Sequence, residues 1–247
     1  NAIDKYFEIK TIIQSIYHKH KGRLGYRRIT LLLRQQGQII NHKTVLRLMS
    51  ILALKSVIRL KKYKSYKGEQ GKVAPNILNR AFKAEQPNQK WVTDVTEFNV
   101  AGKKLYLSPV MDLFNQEIIS YELSESPSFK SVMTMLNKAF KKENKTQSLI
   151  LHSDQGWQYQ MKQYQYLLQQ KGVTQSMSRK GNCLDNAVIE NFFGTVKSEL
   201  FYLKKYNSVS ELKKEIKDYI NYYNNERIKL NLKGMSPVQY RAHHYRN

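Results

Sequence analysis

The stretch WVTDVTEF (residues 91–98) is rich in β-branched and aromatic residues and reads as a strand. Asp94 sits inside it, where aspartate is disfavoured by propensity. Working outward, Leu105 to Val110 and Ile118 to Leu123 share that composition, with turns expected at Ala101-Gly102 and Asn115-Gln116. Ser128 to Phe140 reads as a helix with Phe129, Val132, Met133, Leu136 and Phe140 on one side. Leu149 to Leu151 is a short apolar strand. Tyr159 to Gln170 is helical and stops near Gly172, and Val173 to Met177 is a further strand. Three hairpin-linked strands, then alternating strands and helices, predict an α/β fold: a mixed five-stranded sheet with helices on its faces.

Upstream, the chain changes character. Residues 1–67 hold 16 Lys/Arg against Asp4 and Glu8, a large part of the formal net charge of +23. Ile3, Phe7, Ile12, Ile13, Ile16 and Tyr17 recur at helical spacing. A second apolar set follows at Tyr26, Ile29, Leu32 and Leu33, with Gly37 as its stop, and Asn41 can cap a third helix carrying Val45, Leu46, Leu48, Met49 and Leu52. Short helices around a glycine-containing turn read as helix-turn-helix, a pattern that many small helical bundles share. Arg27, Arg28, Lys43 and Arg47 are its candidate DNA contacts. Lys61, Lys62 and Lys64, interleaved with Tyr63 and Tyr66, read either as a solvated linker or as a phosphate-tracking arm. Downstream, Ser208 and Glu211 form a capping box for a helix carrying Val209, Leu212, Ile216, Tyr219, Ile220 and Tyr223. The expected segments are a basic helical module (1–60), a basic linker (61–88), a larger α/β core (89–205) and a helical tail (206–247).

Composition narrows the partners. The excess of cations argues against an enzyme of small neutral metabolites and favours a polyanion. Cys183 is the single cysteine, which excludes an intrachain disulfide framework and fits a reducing compartment. No apolar run approaches a membrane span. The chain begins at Asn1, so part of a longer product is expected.

Three acids stand out by position: Asp94 in a strand, Asp154 at the end of another, and Glu190 in an apolar-periodic helix, with 35 residues between the last two. Hard divalent ions prefer carboxylate oxygens, and a pair of them suits phosphoryl transfer. Taken singly, an acid is far more often a solvated or capping group. Asp112, which also ends a strand, competes for a place in the set.

The segments WVTDVTEF (91–98), LHSDQGWQY (151–159), SRKGNCLDNAVIENFFGTVKSEL (178–200) and YINYYNNERIKLNLKGMSPVQY (219–240) resemble, in order, the catalytic subunit of the insertion-sequence three family of bacterial transposases. The 35-residue gap matches that family's D-D-35-E signature. The resemblance implies an RNase-H-like, retroviral-integrase-like core. In it Asp94, Asp154 and Glu190 are the catalytic residues and hold Mg²⁺ (or Mn²⁺), two ions in all, and Asp112 falls outside the set. It implies a phosphate contact at Lys197, two helical turns after Glu190, with Asn186 on the same face. Arg227, with Asn224, Asn225 and Lys229, forms a polar end expected to face DNA. Gly194 suggests close backbone or DNA approach. Asn191 stands where many relatives have Ser. His18, His20 and Cys183 lack the partners of a zinc module and read as structural or surface groups. His152, two residues before Asp154, reads as packing or a supporting hydrogen bond.

The resulting expectation is a DNA transposase that cuts one strand at an element end and transfers the freed 3′-hydroxyl, first between two ends of one element to give a circle. It would act as a homo-oligomer on terminal inverted repeats and target DNA, in the bacterial cytoplasm at the nucleoid. A DNA-binding regulator without chemistry and a stand-alone RNase-H-type nuclease are the rivals. The complete acid set argues against the first, and the basic module and the tail motif against the second.

Overall fold

A computed structural model describes residues 4–57, 73–143, 146, 148–180 and 182–246. Lys61, Lys62, Lys64, Tyr63 and Tyr66 lie outside them. Among the described residues no helix is long and apolar enough to cross a membrane.

The chain opens with α1 (Phe7–Lys19), α2 (Tyr26–Gln35) and α3 (His42–Ile51). Ile13, Ile16, Leu24, Ile29, Leu33, Val45 and Leu48 close a small core between them. Local signals set the ends. Gly37 has φ +83° after α2, a conformation glycine adopts without strain. The Asn41 side chain accepts from the Lys43 N–H at 2.8 Å at the start of α3.

The sheet comprises β1 (Lys90–Thr93), β2 (Thr96–Val100), β3 (Lys103–Asp112), β4 (Ile118–Ser124), β5 (Ile150–Ser153) and β6 (Thr174–Met177). The strand expected over 91–98 is interrupted at Asp94-Val95. Both halves pair antiparallel with β3, β2 through Thr96↔Leu107 to Val100↔Lys103 and β1 through Trp91↔Asp112 to Thr93↔Val110. The five expected strands therefore appear as six segments. The cause is local: the Val95 N–H turns onto Asp94 Oδ1 at 2.7 Å instead of joining the ladder. Ala101 and Gly102 both take positive φ, +50° and +78°, which suits the tight turn between β2 and β3. β4 lies antiparallel on the other side of β3, while β1, β5 and β6 run parallel.

Side chains alternate across the sheet. Trp91, Val110 and Leu151 face α4 (Phe129–Lys142) and α5 (Lys162–Gln170). Val92, Phe98, Leu105 and Leu107 face α6 (Ala187–Glu199) and α7 (Val209–Asn225). The tail is thus packed on the sheet, and so is part of the expected linker. Leu78 is buried, and the Ile77 and Leu78 N–H groups donate to Ser176 Oγ on β6 at 3.0 Å. The last helix, α8 (Pro237–Arg246), brings Arg241 to Asp112, Glu117 and Glu143 at 2.6–2.9 Å.

Candidate active site

Parallel strands open a crevice at their carboxyl ends, where ligands of open α/β sheets bind. β1 and β5 are in register at Val92↔His152. Two residues further on, each chain leaves its strand at an aspartate, Asp94 and Asp154. The Gly156 N–H donates to Asp154 Oδ1 at 2.9 Å, so a tight turn holds this second carboxylate. A Cβ on Gly156 would stand 2.9 Å from Asp154 Oδ1 and 3.0 Å from Gln158 Oε1, which explains glycine there.

The third acid arrives on α6. The Asn186 Nδ2 donates to the Thr93 carbonyl at the end of β1 at 3.4 Å, docking the start of this helix on the crevice one turn before Glu190. The loop ahead of it is anchored by Asp185, which is fully buried. Asp185 accepts from the Arg179 backbone and guanidinium at 2.9–3.0 Å, from Arg80 at 2.8 Å and from Asn76 at 3.0 Å. Those donors, Arg179 foremost, hold its carboxyl well below the usual range. Arg80 and Asn76 lie in the stretch read as linker, so periodicity carried no hint of this clamp.

The three carboxyls share one electrostatic environment. Burial pushes Asp94 well above the ordinary aspartate value, and the charges of Asp154 and Glu190 push it further. Burial also raises Asp154, against the Gly156 N–H. Glu190 is raised by burial and then by Asp154. All three remain partly exposed. Like charges crowd here, and a cation relieves such crowding. Among the described residues, no three His, Cys, Asp or Glu side chains form a ready-made metal cluster. The donor set nevertheless suits a hard cation: carboxylate oxygens, with the buried Asn186 Oδ1, which has no hydrogen-bond partner among the described residues, at the start of the helix that carries Glu190.

Lys197 lies two turns beyond Glu190, its ammonium 5.4 Å from the Phe98 ring centre. Burial lowers its pKa, while Glu97 and Asp94 pull it back up. Its charge is therefore felt at Asp94. Among the described residues, nothing outside its own stretch of helix comes within 4 Å of a Cβ placed on Gly194, so close approach of another element does not account for that glycine. Asp112 sits apart from the carboxylate set. It accepts from the Asn88 and Phe114 N–H groups and from Arg241. His152 is buried between Ser176 Oγ at 2.8 Å and Ser178 Oγ at 3.1 Å, and burial lowers its pKa to about 4, so it braces β5 against β6. Cys183 begins a short 3₁₀ turn, and its side chain lies outside the described residues.

The expected polar end near residue 227 is mostly interior. Arg227 is 6% exposed, and its guanidinium grips Glu199 at 2.7 and 2.9 Å. It is the internal counter-charge of Glu199, where a solvated polar end was expected. Asn224 bonds both backbone groups of Ile118 at 2.9 Å and so caps an edge of β4, and Lys229 is buried against Tyr223. In the helical module, Arg27, Lys43 and Arg47 are exposed, whereas Arg28 points inward to Glu199 at 3.6 Å. His20 is buried against the Tyr222 hydroxyl at 3.2 Å, and His18 is exposed. Glu199 is the residue that sequence reasoning missed altogether. Nothing in the helical pattern of α6 marks the acid two residues after Lys197 as a hub for the neighbouring helices.

Comparison with known proteins agrees with this architecture. Residues 84–183 and 190–245 match two family models described as integrase core domain, and residues 6–62 match an HTH-like domain. The chain is 59% identical over 242 residues to the InsK protein of insertion sequence element IS150 of Escherichia coli (strain K12), covering 98% of this chain and 86% of that protein. It is 31% identical to the transposase InsF for insertion sequence IS3A of the same organism, covering 93% and 81%. The HTLV-2 integrase catalytic core domain, solved in complex with magnesium, superposes with a TM-score of 0.52 at 18% identity, covering 64% of this chain and 98% of that one. The last likeness bears on the fold alone.

Proposed function

Because the chain belongs to the insertion-sequence three family of transposases, we propose that it cuts one DNA strand at the ends of its element and transfers the freed 3′-hydroxyl to another phosphodiester. What supports this reading is geometric: Asp94 and Asp154 leave two paired parallel strands at the same level, and the helix that carries Glu190 is docked on the end of the first by Asn186. Asp94, Asp154 and Glu190 would hold Mg²⁺ or Mn²⁺, which when bound activates an attacking oxygen and stabilises the leaving one.

The chain's own groups supply the rest. The Val95 and Gly156 N–H groups fix two carboxylates in place. Rigid attachment matters because displacement of about 1 Å costs roughly a hundredfold in rate. Lys197 would contact a phosphate flanking the scissile bond, with Asn186 beside it at the start of the same helix. Arg27, Lys43 and Arg47 provide an exposed cationic face for double-stranded DNA, at terminal repeats or target. Two ends must meet, so a homo-oligomer on DNA follows from the reaction itself.

The test is to incubate the protein with Mg²⁺ and labelled candidate element ends and to map any nick. A nick at the element boundary that is lost in Asp154→Asn, with DNA affinity retained, supports the reading. Cutting that survives in Asp154→Asn rejects the site. Binding without any cutting favours a regulator that has lost its chemistry.

A further inference from the structure

Beside α6, away from the Asp94–Asp154 crevice, a cleft of about 380 Å³ opens between the helical module and the core. Asn191 and Thr195 line it from α6, Arg28 from α2, Gln116 from the turn before β4, and Arg227 and Lys229 from the segment after α7. Three cations meet there, and Glu199 is the carboxylate that answers them. Arg227 occupies both oxygens of Glu199, at 2.7 and 2.9 Å, and the Tyr219 hydroxyl adds a third bond at 2.7 Å. Arg28 reaches Glu199 only at 3.6 Å, beyond hydrogen-bond range. Lys229 donates to Gln116 Oε1 and to the Tyr223 hydroxyl, both at 2.6 Å and both neutral, and an ammonium has a third proton to give. Among the described residues, Arg28 and Lys229 thus face the cleft without a carboxylate at hydrogen-bond distance. Burial, then the charges of Arg227 and Arg28, hold the Lys229 pKa well down, as expected of a cation short of an anion.

We propose that this cleft binds a phosphate of the DNA backbone, held by Arg28 from the helix-turn-helix module and Lys229 from the tail. It rests on the transposase reading and adds to it a point where one phosphate spans the two modules. Asn191 directly follows Glu190, so a phosphate seated there lies along the helix that carries the third carboxylate. The shared chemistry is a phosphate oxyanion, and an internucleotide phosphate or free phosphate could provide it.

The experiment uses the full chain and a short random-sequence duplex, with affinity measured across a salt series. Each lost phosphate contact lowers the log–log slope by about 0.9. Arg28→Gln is expected to lower the slope by about that amount, and Arg28→Lys to keep it. Inorganic phosphate at fixed ionic strength separates the sources. A rise in the melting temperature of the wild type but not of Arg28→Gln shows that free phosphate also enters. No rise, with the slope change present, assigns the site to backbone phosphate alone. An unchanged slope in Arg28→Gln overturns the proposal. So does an equal loss of slope in Arg28→Gln and Arg28→Lys with a fall in melting temperature, since Arg28 would then only support the fold. Nicking by the wild type is scored separately, so failure here leaves the carboxylate site standing.

Discussion

Asp94 and Asp154 stand level at the carboxyl ends of two parallel strands, each two residues past the Val92–His152 pair. The backbone does the placing: β1 breaks at Asp94, and β5 ends in a turn closed by the Gly156 N–H. Gly156→Ala therefore tests the geometry without replacing a carboxylate. Its Cβ would press on Asp154 Oδ1 from 2.9 Å and on the Tyr159 ring from 3.3 Å. Strand cutting should fall by roughly ten- to a hundredfold with duplex affinity unchanged. A variant that cuts at the wild-type rate would show that Asp154 need not be held there.

How much of this was legible beforehand depends on the range of the interactions. The Ala101-Gly102 turn, the Asn41 and Ser208 caps and the apolar face of α4 are set by neighbours within a few residues, and composition exposed them. The acids were visible through motif spacing and family resemblance. The break at Asp94-Val95 was not, because the residues on both sides have strand composition and only the carboxylate–amide contact interrupts the ladder. The Asp185 clamp and the Glu199 hub each include partners more than a hundred positions apart, such as Arg80 with Asp185 and Arg23 with the Glu199 carbonyl. Arg227 misled over a shorter span, 28 positions from Glu199: an arginine at a helix end looks solvated until the carboxylate it meets is known.

Glu199 is 1% exposed and binds Arg227, with Arg28 and the Tyr219 hydroxyl around it. Burial alone would raise its pKa, but these partners, Arg227 foremost, override that and hold it low. Glu199→Gln leaves buried guanidinium charge uncompensated. Breaking such a pair costs about 3–5 kcal/mol. At roughly 2–4 °C per kcal/mol for a chain of this size, the melting temperature should drop by about 10 °C. A drop of a degree or two would mean that water reaches these arginines.

His20 ties α1 to α7 through the Tyr222 hydroxyl. Burial lowers its pKa below the ordinary 6.5, Lys19 and Arg23 lower it further, and Glu226 opposes them. The native state therefore favours the neutral ring. Above pH 6.5 both states are neutral and the contact contributes fully. As pH falls from 6.5 toward the depressed native value, the unfolded chain takes up the proton first and stability is lost. His20→Gln should flatten that part of the stability profile between pH 7 and 5, measured by thermal melting in matched salt. An unchanged profile would place the proton uptake on other groups.

Carboxyls that repel one another should be stabilised by the cation they hold. Adding Mg²⁺ to the DNA-free protein should raise the melting temperature in a saturable way, following RT ln(1 + [L]/Kd), about 2.7 kcal/mol at a hundred times Kd. Asp154→Asn removes one oxygen-donor charge and much of the field that raises Glu190, so its own melting temperature without metal should rise slightly while the Mg²⁺ response shrinks. Mn²⁺ should act in the same direction, because it takes the same hard oxygen donors. Equal Mg²⁺ shifts in wild type and Asp154→Asn would mean that the ion binds elsewhere, for the repulsion removed by the substitution is the repulsion that bound metal would relieve.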